Sequence, residues 1–369
     1  MKTTSYNQFI NDAFRNARDH DIPISGSFEL TPLCNLDCRM CYIHLSDPGV
    51  RERMLSGDEW IRLMEQAVDR GMLLALLTGG EAMTHPDFHR IYRFLVERGV
   101  LVRLKTNGIL LNQETIELFT QYPPNMIEVS IYGCDGESYR AVTGHDVFDT
   151  VGKNIRAAIA AGLPLRLMIT PSAYMLPWVD RIMEYVKTLG ADSVAVNSLL
   201  VEANPDTGRS MADFGLSLEE NARIYKKSLE LFPREQKNQT EEEAEFLGEI
   251  PQVASHILEN GLYCNAGRTG FAMNWDGTMG PCLDFPRDVI CADVKRVGFE
   301  AAWKEVNRGV KDYIVPEDCR TCSCNTFCHY CPTQHRRLAA KHRCVPESCA
   351  WRRLQADIVA EFREAHSPA

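Results

Sequence analysis

Across residues 25–197 six short β-type runs, SFELT, MLLALL, VLVRL, MIEVSI, LRLMIT and SVAVN, alternate with stretches whose apolar residues recur at helical spacing. Few folds accept that pattern. Strands separated by helices must pair in parallel through right-handed crossovers, giving an α/β sheet that is either open or curled into a partial barrel. The intervening segments carry their own punctuation. Ser56-x-x-Glu59 is a capping-box pattern, and it is followed by Trp60, Ile61, Met64 and Val68 on one face and a stop at Gly71. The next segment uses Phe88, Ile91, Tyr92 and Leu95 and stops at Gly99. Both stripes read as core packing. In such folds chemistry sits at the C-terminal ends of the strands, so every motif has a place where it must fall.

The chain has 369 residues, 45% apolar and 24% charged, enough for one large domain and a smaller one. After residue 197 the β/α alternation stops. We divide the chain into an N-terminal extension (1–24), the β/α core (25–215), a charged helical connection (216–262) and a cysteine-rich unit ending in a helix (263–369). The formal charge of −10 argues against a nucleic-acid-coating surface. The N-terminus has no apolar signal region, and no run approaches the ~18 apolar residues of a membrane span. A cytoplasmic protein with neither nucleic acid nor membrane as partner is expected. Fourteen cysteines in such a chain then point to thiolates and metal, not to a disulfide framework.

Three of them stand in CNLDCRMCY, as Cys34-x3-Cys38-x2-Cys41, directly after the first strand. Three thiolates on a short loop suit a cubane iron–sulfur cluster with one iron left without a protein ligand. Zinc is the other reading, with His44 as a fourth ligand. The second strand runs into Thr78-Gly79-Gly80-Glu81, where paired glycines let the backbone approach a ligand and Glu81 can accept from an ammonium group. The third ends at Thr106 and Asn107, and the fourth at Ser130 and Tyr132. Such hydroxyls and amides suit ribose hydroxyls and a carboxylate, or serve simply as caps and turns. Arg166 on the fifth strand has no assigned role.

These motifs resemble the radical S-adenosylmethionine (radical SAM) superfamily, whose cluster motif is C-x3-C-x2-C after the first strand of a partial (β/α)6 TIM-like barrel. The resemblance implies that Cys34, Cys38 and Cys41 hold a [4Fe–4S] cluster and that the open iron chelates S-adenosylmethionine. It also implies cofactor contacts from Gly79, Gly80, Glu81, Thr106, Asn107 and Ser130, with Arg140 in ESYRAVTG as a further candidate. One departure is Met40, where the family often has an aromatic residue before the third cysteine; Tyr42 follows instead.

The tail has Cys264-x12-Gly277-x4-Cys282, then Cys319-x2-Cys322-x5-Cys328-x2-Cys331 and later Cys349. This is similar to the SPASM extension of the same superfamily, apart from two residues instead of three between the last pair of the central block. The resemblance implies two auxiliary [4Fe–4S] clusters, one on Cys264, Cys282 and Cys331 and the other on Cys319, Cys322, Cys328 and Cys349. Cys291 could complete the first, Cys344 competes with Cys349 for the second, and Cys324 and Cys134 are surplus. Zinc sites remain the other reading of the paired cysteines.

The expected activity is reductive cleavage of S-adenosylmethionine to a 5′-deoxyadenosyl radical that abstracts hydrogen from a peptide or protein side chain, as in cross-linking, thioether formation or oxidation. The alternatives are formylglycine formation of the sulfatase-maturase kind, for which Asp284 is a candidate proton acceptor one place out of register, a small-molecule dehydrogenase or epimerase, and an iron–sulfur electron-transfer protein. Implied partners are a reductant such as flavodoxin or ferredoxin and, since only about twenty-five residues precede the first strand, a separate recognition protein for a peptide leader.

Overall fold

The computed structural model describes residues 6–41, 43, 49–197, 214–232, 264–314 and 346–366. One nine-stranded sheet organises them, in the order β6-β5-β4-β3-β2-β1-β7-β8-β9. The strands are β1 (Ser25–Glu29), β2 (Leu74–Thr78), β3 (Leu101–Thr106), β4 (Met126–Ser130), β5 (Leu165–Ile169), β6 (Ser193–Val196), β7 (Gly270–Met273), β8 (Thr278–Gly280) and β9 (Ala292–Asp293). The first six are parallel neighbours in sequence order. They fall where the six apolar runs predicted them, shifted by one or two residues at their ends.

The helices are α1 (Tyr6–Asp19), α2 (Val50–Arg53), α3 (Gly57–Asp69), α4 (Phe88–Glu97), α5 (Gln113–Gln121), α6 (Gly136–Thr143), α7 (Phe148–Ala160), α8 (Val179–Leu189), α9 (Leu218–Leu231), α10 (Val294–Val297), α11 (Phe299–Lys311) and α12 (Pro346–His366). The expected capping box forms at α3. The Glu59 amide donates to Ser56 Oγ at 3.4 Å and the Ser56 amide to Glu59 Oε2 at 2.8 Å. The buried face of α3 is Trp60, Leu63, Met64 and Ala67, while Ile61 and Val68 are only partly covered.

Alternation along the strands separates two faces. Phe28, Leu77, Leu104, Val129 and Leu167 turn toward the helices and are fully buried. Phe28 meets Trp60 of α3 edge-on at 6.0 Å and Phe271 of β7 at 5.6 Å. Burying aromatic side chains of this size supplies on the order of 2–3 kcal/mol each. The opposite face is polar, and one register row crosses it. Glu29 stands beside Thr78, Lys105 beside Glu128, Glu128 beside Arg166, and Arg166 beside Ser193.

The segment 264–314 joins the same sheet instead of forming a layer of its own. β7 pairs in parallel with β1, and β8 and β9 continue as an antiparallel meander. The turn that starts the meander is closed by Asp276, whose Oδ1 accepts from the Thr278 amide and hydroxyl at 3.1 and 2.7 Å. No described helix is long and apolar enough to cross a membrane.

Candidate active site

The loop after β1 is fixed by its backbone. The amides of Asp37 and Arg39 donate to the carbonyls of Thr143 and Val142, both at 3.0 Å, which satisfies two C-terminal carbonyls of α6. Leu36, Cys38, Met40 and Ile43 are buried, and the Arg39 guanidinium lies 3.8 Å from the centroid of the Tyr174 ring. Met40, at the position where an aromatic residue is the family habit, packs into the main core.

All three thiols of this loop lie within electrostatic reach of the Tyr132 phenol. Burial pushes the Tyr132 phenol well above the ordinary tyrosine range, and Cys38, Cys41 and Cys34 all add to the rise. A hydrogen bond from the Ser130 side chain opposes it. Burial likewise pushes the Cys34 thiol up to about 12, partly offset by the Leu36 amide, while Glu81 and Cys41 raise it further. Cys34 Sγ accepts from that amide at 3.4 Å and from Asn107 Nδ2 at 3.7 Å.

The residue types and surroundings fit an iron–sulfur cluster. Thiols ringed by an apolar shell, with amide donors aimed at sulfur, are what a cluster requires. Among the described residues no group of three His, Cys, Asp or Glu side chains is arranged to hold a metal ion, these three cysteines included. None of Cys34, Cys38, Cys41, Cys134, Cys264, Cys282 and Cys291 takes part in a disulfide.

The strand-end residues form one connected network. Glu81 is buried, and its Oε2 accepts from Thr106 Oγ1 at 2.9 Å and from the Asn107 amide at 2.8 Å, while Oε1 accepts from the Met83 amide at 3.2 Å. Asn107 then donates to Asn35 Oδ1 at 2.7 Å, which carries the network from β2 through β3 into the cysteine loop. Burial holds the Glu81 carboxyl up at about 7 despite these donors. A carboxylate offers about four acceptor positions, so one is left for a ligand.

Gly79 and Gly80 have a structural task beside any ligand role. A Cβ on Gly79 would lie 2.3 Å from the Thr31 carbonyl oxygen, and one on Gly80 would lie 2.3 Å from that of Leu33. The Gly80 and Glu81 amides bond to those same carbonyls at 2.7 and 2.9 Å. The closely approached backbone is therefore that of the chain itself. Arg140 is the outlier, its exposed side chain bonded to Asp146 at 2.9 Å.

In the C-terminal segment Cys264 is exposed, Cys282 is partly buried against the main core, and Cys291 is half-buried beside Arg287 and Thr278. Tyr42, His44, Cys319, Cys322, Cys324, Cys328, Cys331 and Cys344 lie outside the described residues, as does the side chain of Cys349. Asp284 has its carboxyl raised by burial, with Lys105 opposing, and its Oδ1 has no hydrogen-bond partner among the described residues.

Three residues escaped the motif reading: Asn35, which accepts from Asn107, and Glu29 and Asn274, neighbours just where β1 and β7 end. The signal available for Glu29 was a lone charge inside the apolar run SFELT. It is 4% exposed, and burial pushes its carboxyl up to about 8; Arg287 lowers it, and Asp276 and Asp284 raise it.

This has a measurable consequence. The unfolded chain ionises Glu29 near 4.5, while the folded chain keeps the proton to about 8. Stability is therefore fully present below about 4.5 and falls as pH rises toward 8, by about 5 kcal/mol in total from this residue. Glu81 acts in the same direction up to about 7. Urea midpoints of the metal-free protein are expected to fall steadily from pH 5 to 8, with Glu29→Gln flattening the curve most above pH 7. An unchanged slope in that variant would contradict the burial of a protonated carboxyl there.

Residues 28–177 match the family model described as the radical SAM superfamily. Among curated proteins the chain is 26% identical to a probable GTP 3′,8-cyclase of Sulfurisphaera tokodaii over 69% of this chain and 79% of that protein. It is 28% identical to an AdoMet-dependent heme synthase of Methanosarcina barkeri over 83% and 90%, and 22% identical to the subtilosin biosynthesis protein AlbA of Bacillus subtilis over 77% and 60%. Among solved structures, anSMEcpe with bound AdoMet superposes with a TM-score of 0.64 at 15% identity, covering 93% of this chain and 98% of that one. SuiB of Streptococcus suis bound to S-adenosylmethionine gives 0.61 at 16% identity, covering 89% and 79%. The architecture is thus a partial β/α barrel shared with these proteins. The matched segment holds the end of β1, the three-cysteine loop that follows it and strands β2 to β5, and residues 28–177 are thus a radical SAM domain.

Proposed function

We propose that the chain is a radical SAM enzyme of the SPASM type that reductively cleaves S-adenosylmethionine and takes a hydrogen atom from a peptide or protein side chain. The observation that carries this reading is the Cys34-x3-Cys38-x2-Cys41 loop directly after β1, with all three thiols within electrostatic reach of Tyr132 just beyond the end of β4. A [4Fe–4S] cluster bound there supplies the electron for homolysis of the sulfonium, chemistry that belongs to the cofactor. The protein's part is to hold and shield. Cys34, Cys38 and Cys41 ligate the cluster, and the remaining acceptor position of Glu81 receives the ammonium of S-adenosylmethionine. Thr106 and Asn107 orient that carboxylate, Gly79 and Gly80 bring its strand end against the cysteine loop, and Ser130 faces the nucleoside. Arg140 takes part only by leaving Asp146.

In the C-terminal part, auxiliary clusters on Cys264, Cys282 and Cys331 and on Cys319, Cys322, Cys328 and Cys349 complete the proposal. Cys291 and Cys344 are the competing ligands, and Asp284 is the candidate proton acceptor. A reductant such as flavodoxin or ferredoxin, a separate recognition protein and a cytoplasmic location belong to the same reading. Peptide chemistry is favoured by the names of AlbA and of SuiB, which has been crystallised with its precursor peptide SuiA. A small-molecule substrate is the second reading, favoured by the heme synthase, which is matched over 90% of its length.

Anaerobically reconstituted protein, given dithionite and S-adenosylmethionine, is expected to form 5′-deoxyadenosine. Mass spectrometry of peptides co-expressed with it should then show a loss of hydrogens. A colourless protein that leaves S-adenosylmethionine intact would end the proposal. Cleavage without any peptide change would leave the small-molecule reading.

A further inference from the structure

The polar row across the sheet has two unlike halves. On β3–β6 Glu128 is paired with Arg103 and lies 3.9 Å from Arg166, whose Nε donates to Ser193 Oγ at 2.9 Å, while Lys105 of the same row acts on Asp284. On the β1 side three carboxyls, Glu29, Asp276 and Asp284, stand against two cations, Arg287 and Lys105. Glu29, the last residue of β1, is buried, and Asp284 is close enough to act on it electrostatically. The cation whose field reaches Glu29 is Arg287, and that guanidinium is held by Asp276 at 2.9 Å.

Asn274 belongs to the same group. Phe28 pairs with Met273, so Asn274 follows on β7 as Glu29 follows on β1, with both side chains on the face away from the helices. Asn274 is 4% exposed and donates to Thr278 Oγ1 at 3.1 Å, while its Oδ1 has no partner among the described residues. Asp284 Oδ1 is in the same condition. Both unsatisfied atoms are acceptors, and leaving such atoms buried and unpaired costs on the order of 1–3 kcal/mol each. An iron–sulfur cluster presents sulfide acceptors and cannot satisfy them; a group rich in N–H donors and carrying positive charge can.

Taking the proposed function as its basis, we infer that Glu29, Asp284 and Asn274 form a binding site for a cationic nitrogen of the substrate, an ammonium or guanidinium carried by a peptide side chain or amino terminus. The site lies where the β1 end meets the β7–β8 turn, beside the cysteine loop. The bound nitrogen thus anchors one part of the substrate and leaves the neighbouring carbon skeleton near the cofactor. The chain's net charge of −10 favours the approach of such a partner at long range.

The test uses the reconstituted full-length protein with S-adenosylmethionine present and three probes followed by saturation-transfer NMR. These are N-acetyl-lysine N-methylamide, alanine N-methylamide with its free amino group, and neutral N-acetyl-norleucine N-methylamide. One cationic probe is expected to bind at least about ten-fold tighter than the neutral one, and which of the two does so identifies a side chain or a terminus. Glu29→Gln and Asp284→Asn, two near-isosteric changes, should each remove the preference. Equal binding of all three probes, or a preference surviving in both variants, overturns the inference. Formation of 5′-deoxyadenosine by the unaltered protein is measured alongside. Cleavage without cation preference removes this inference alone, whereas cation preference without cleavage supports it and removes the proposed enzyme class.

Discussion

Replacing Cys34, Cys38 and Cys41 together by alanine is expected to abolish 5′-deoxyadenosine formation while the protein stays folded. The two halves of that result have separate causes. Activity is lost because the three thiolates proposed to hold the cluster are gone. The fold survives because the loop is held by its backbone, through the Asp37 and Arg39 amides on the end of α6, and by Leu36 and Met40 in the core. Truncating the buried Cys38 side chain costs on the order of 1 kcal/mol, a small part of a domain's stability. Iron analysis is expected to show the loss of one cluster with the auxiliary iron retained. Cleavage at the wild-type rate would refute the cluster assignment, and an unfolded triple variant would refute the account of how the loop is held.

Gly79→Ala should be the most damaging single change at the site. Its φ of +146° is a conformation that side chains rarely adopt, and the added Cβ would meet the Thr31 carbonyl oxygen at 2.3 Å. The obstacle is backbone that also accepts the Gly80 amide, so it cannot swing aside as a side-chain tip could. Strain and clash together are expected to cost about 3 kcal/mol or more. Gly99→Ala provides the control. It too has positive φ, +76°, but nothing lies within 4 Å of its added Cβ, so only the backbone term of about 1–2 kcal/mol remains. Thermal midpoints of the two variants should therefore separate clearly. Equal losses would mean that the approach of Gly79 to Thr31 contributes nothing.

The positions of the strand ends were legible in the sequence because apolar runs and helix caps are local signals. Ser56 with Glu59, the Gly71 and Gly99 stops and all six runs lie where they were read. Motif spacing correctly brought Glu81, Thr106 and Asn107 to the same edge of the sheet. It did not show that they bond to one another, because the contacts between strand ends depend on register across β2 and β3. Nor did it show that the glycine pair faces the backbone of Thr31 and Leu33, since a Gly-Gly-Glu turn reads alike whether its neighbour is a ligand or another strand. Arg140, named from its surrounding motif, has its side chain against Asp146 in solvent, because the direction of a helical side chain depends on neighbours the motif does not contain.

What the sequence by itself determined is the β/α core and the chemistry of its edge. Strand and helix periodicity are properties of consecutive residues, and three cysteines within eight positions cannot be far apart in any fold. What only the tertiary structure decided is the attachment of residues 264–314 to β1 and, through it, the meeting of Glu29 with Asn274 and Asp284. A strand of four residues carries too little pattern to announce its partner, and its place beside β1 is chosen by packing, where Phe271 closes on Phe28, Phe299 and Trp303. Once that packing is made, polar groups from opposite ends of the chain share one buried corner, a consequence of burial that no local spacing encodes.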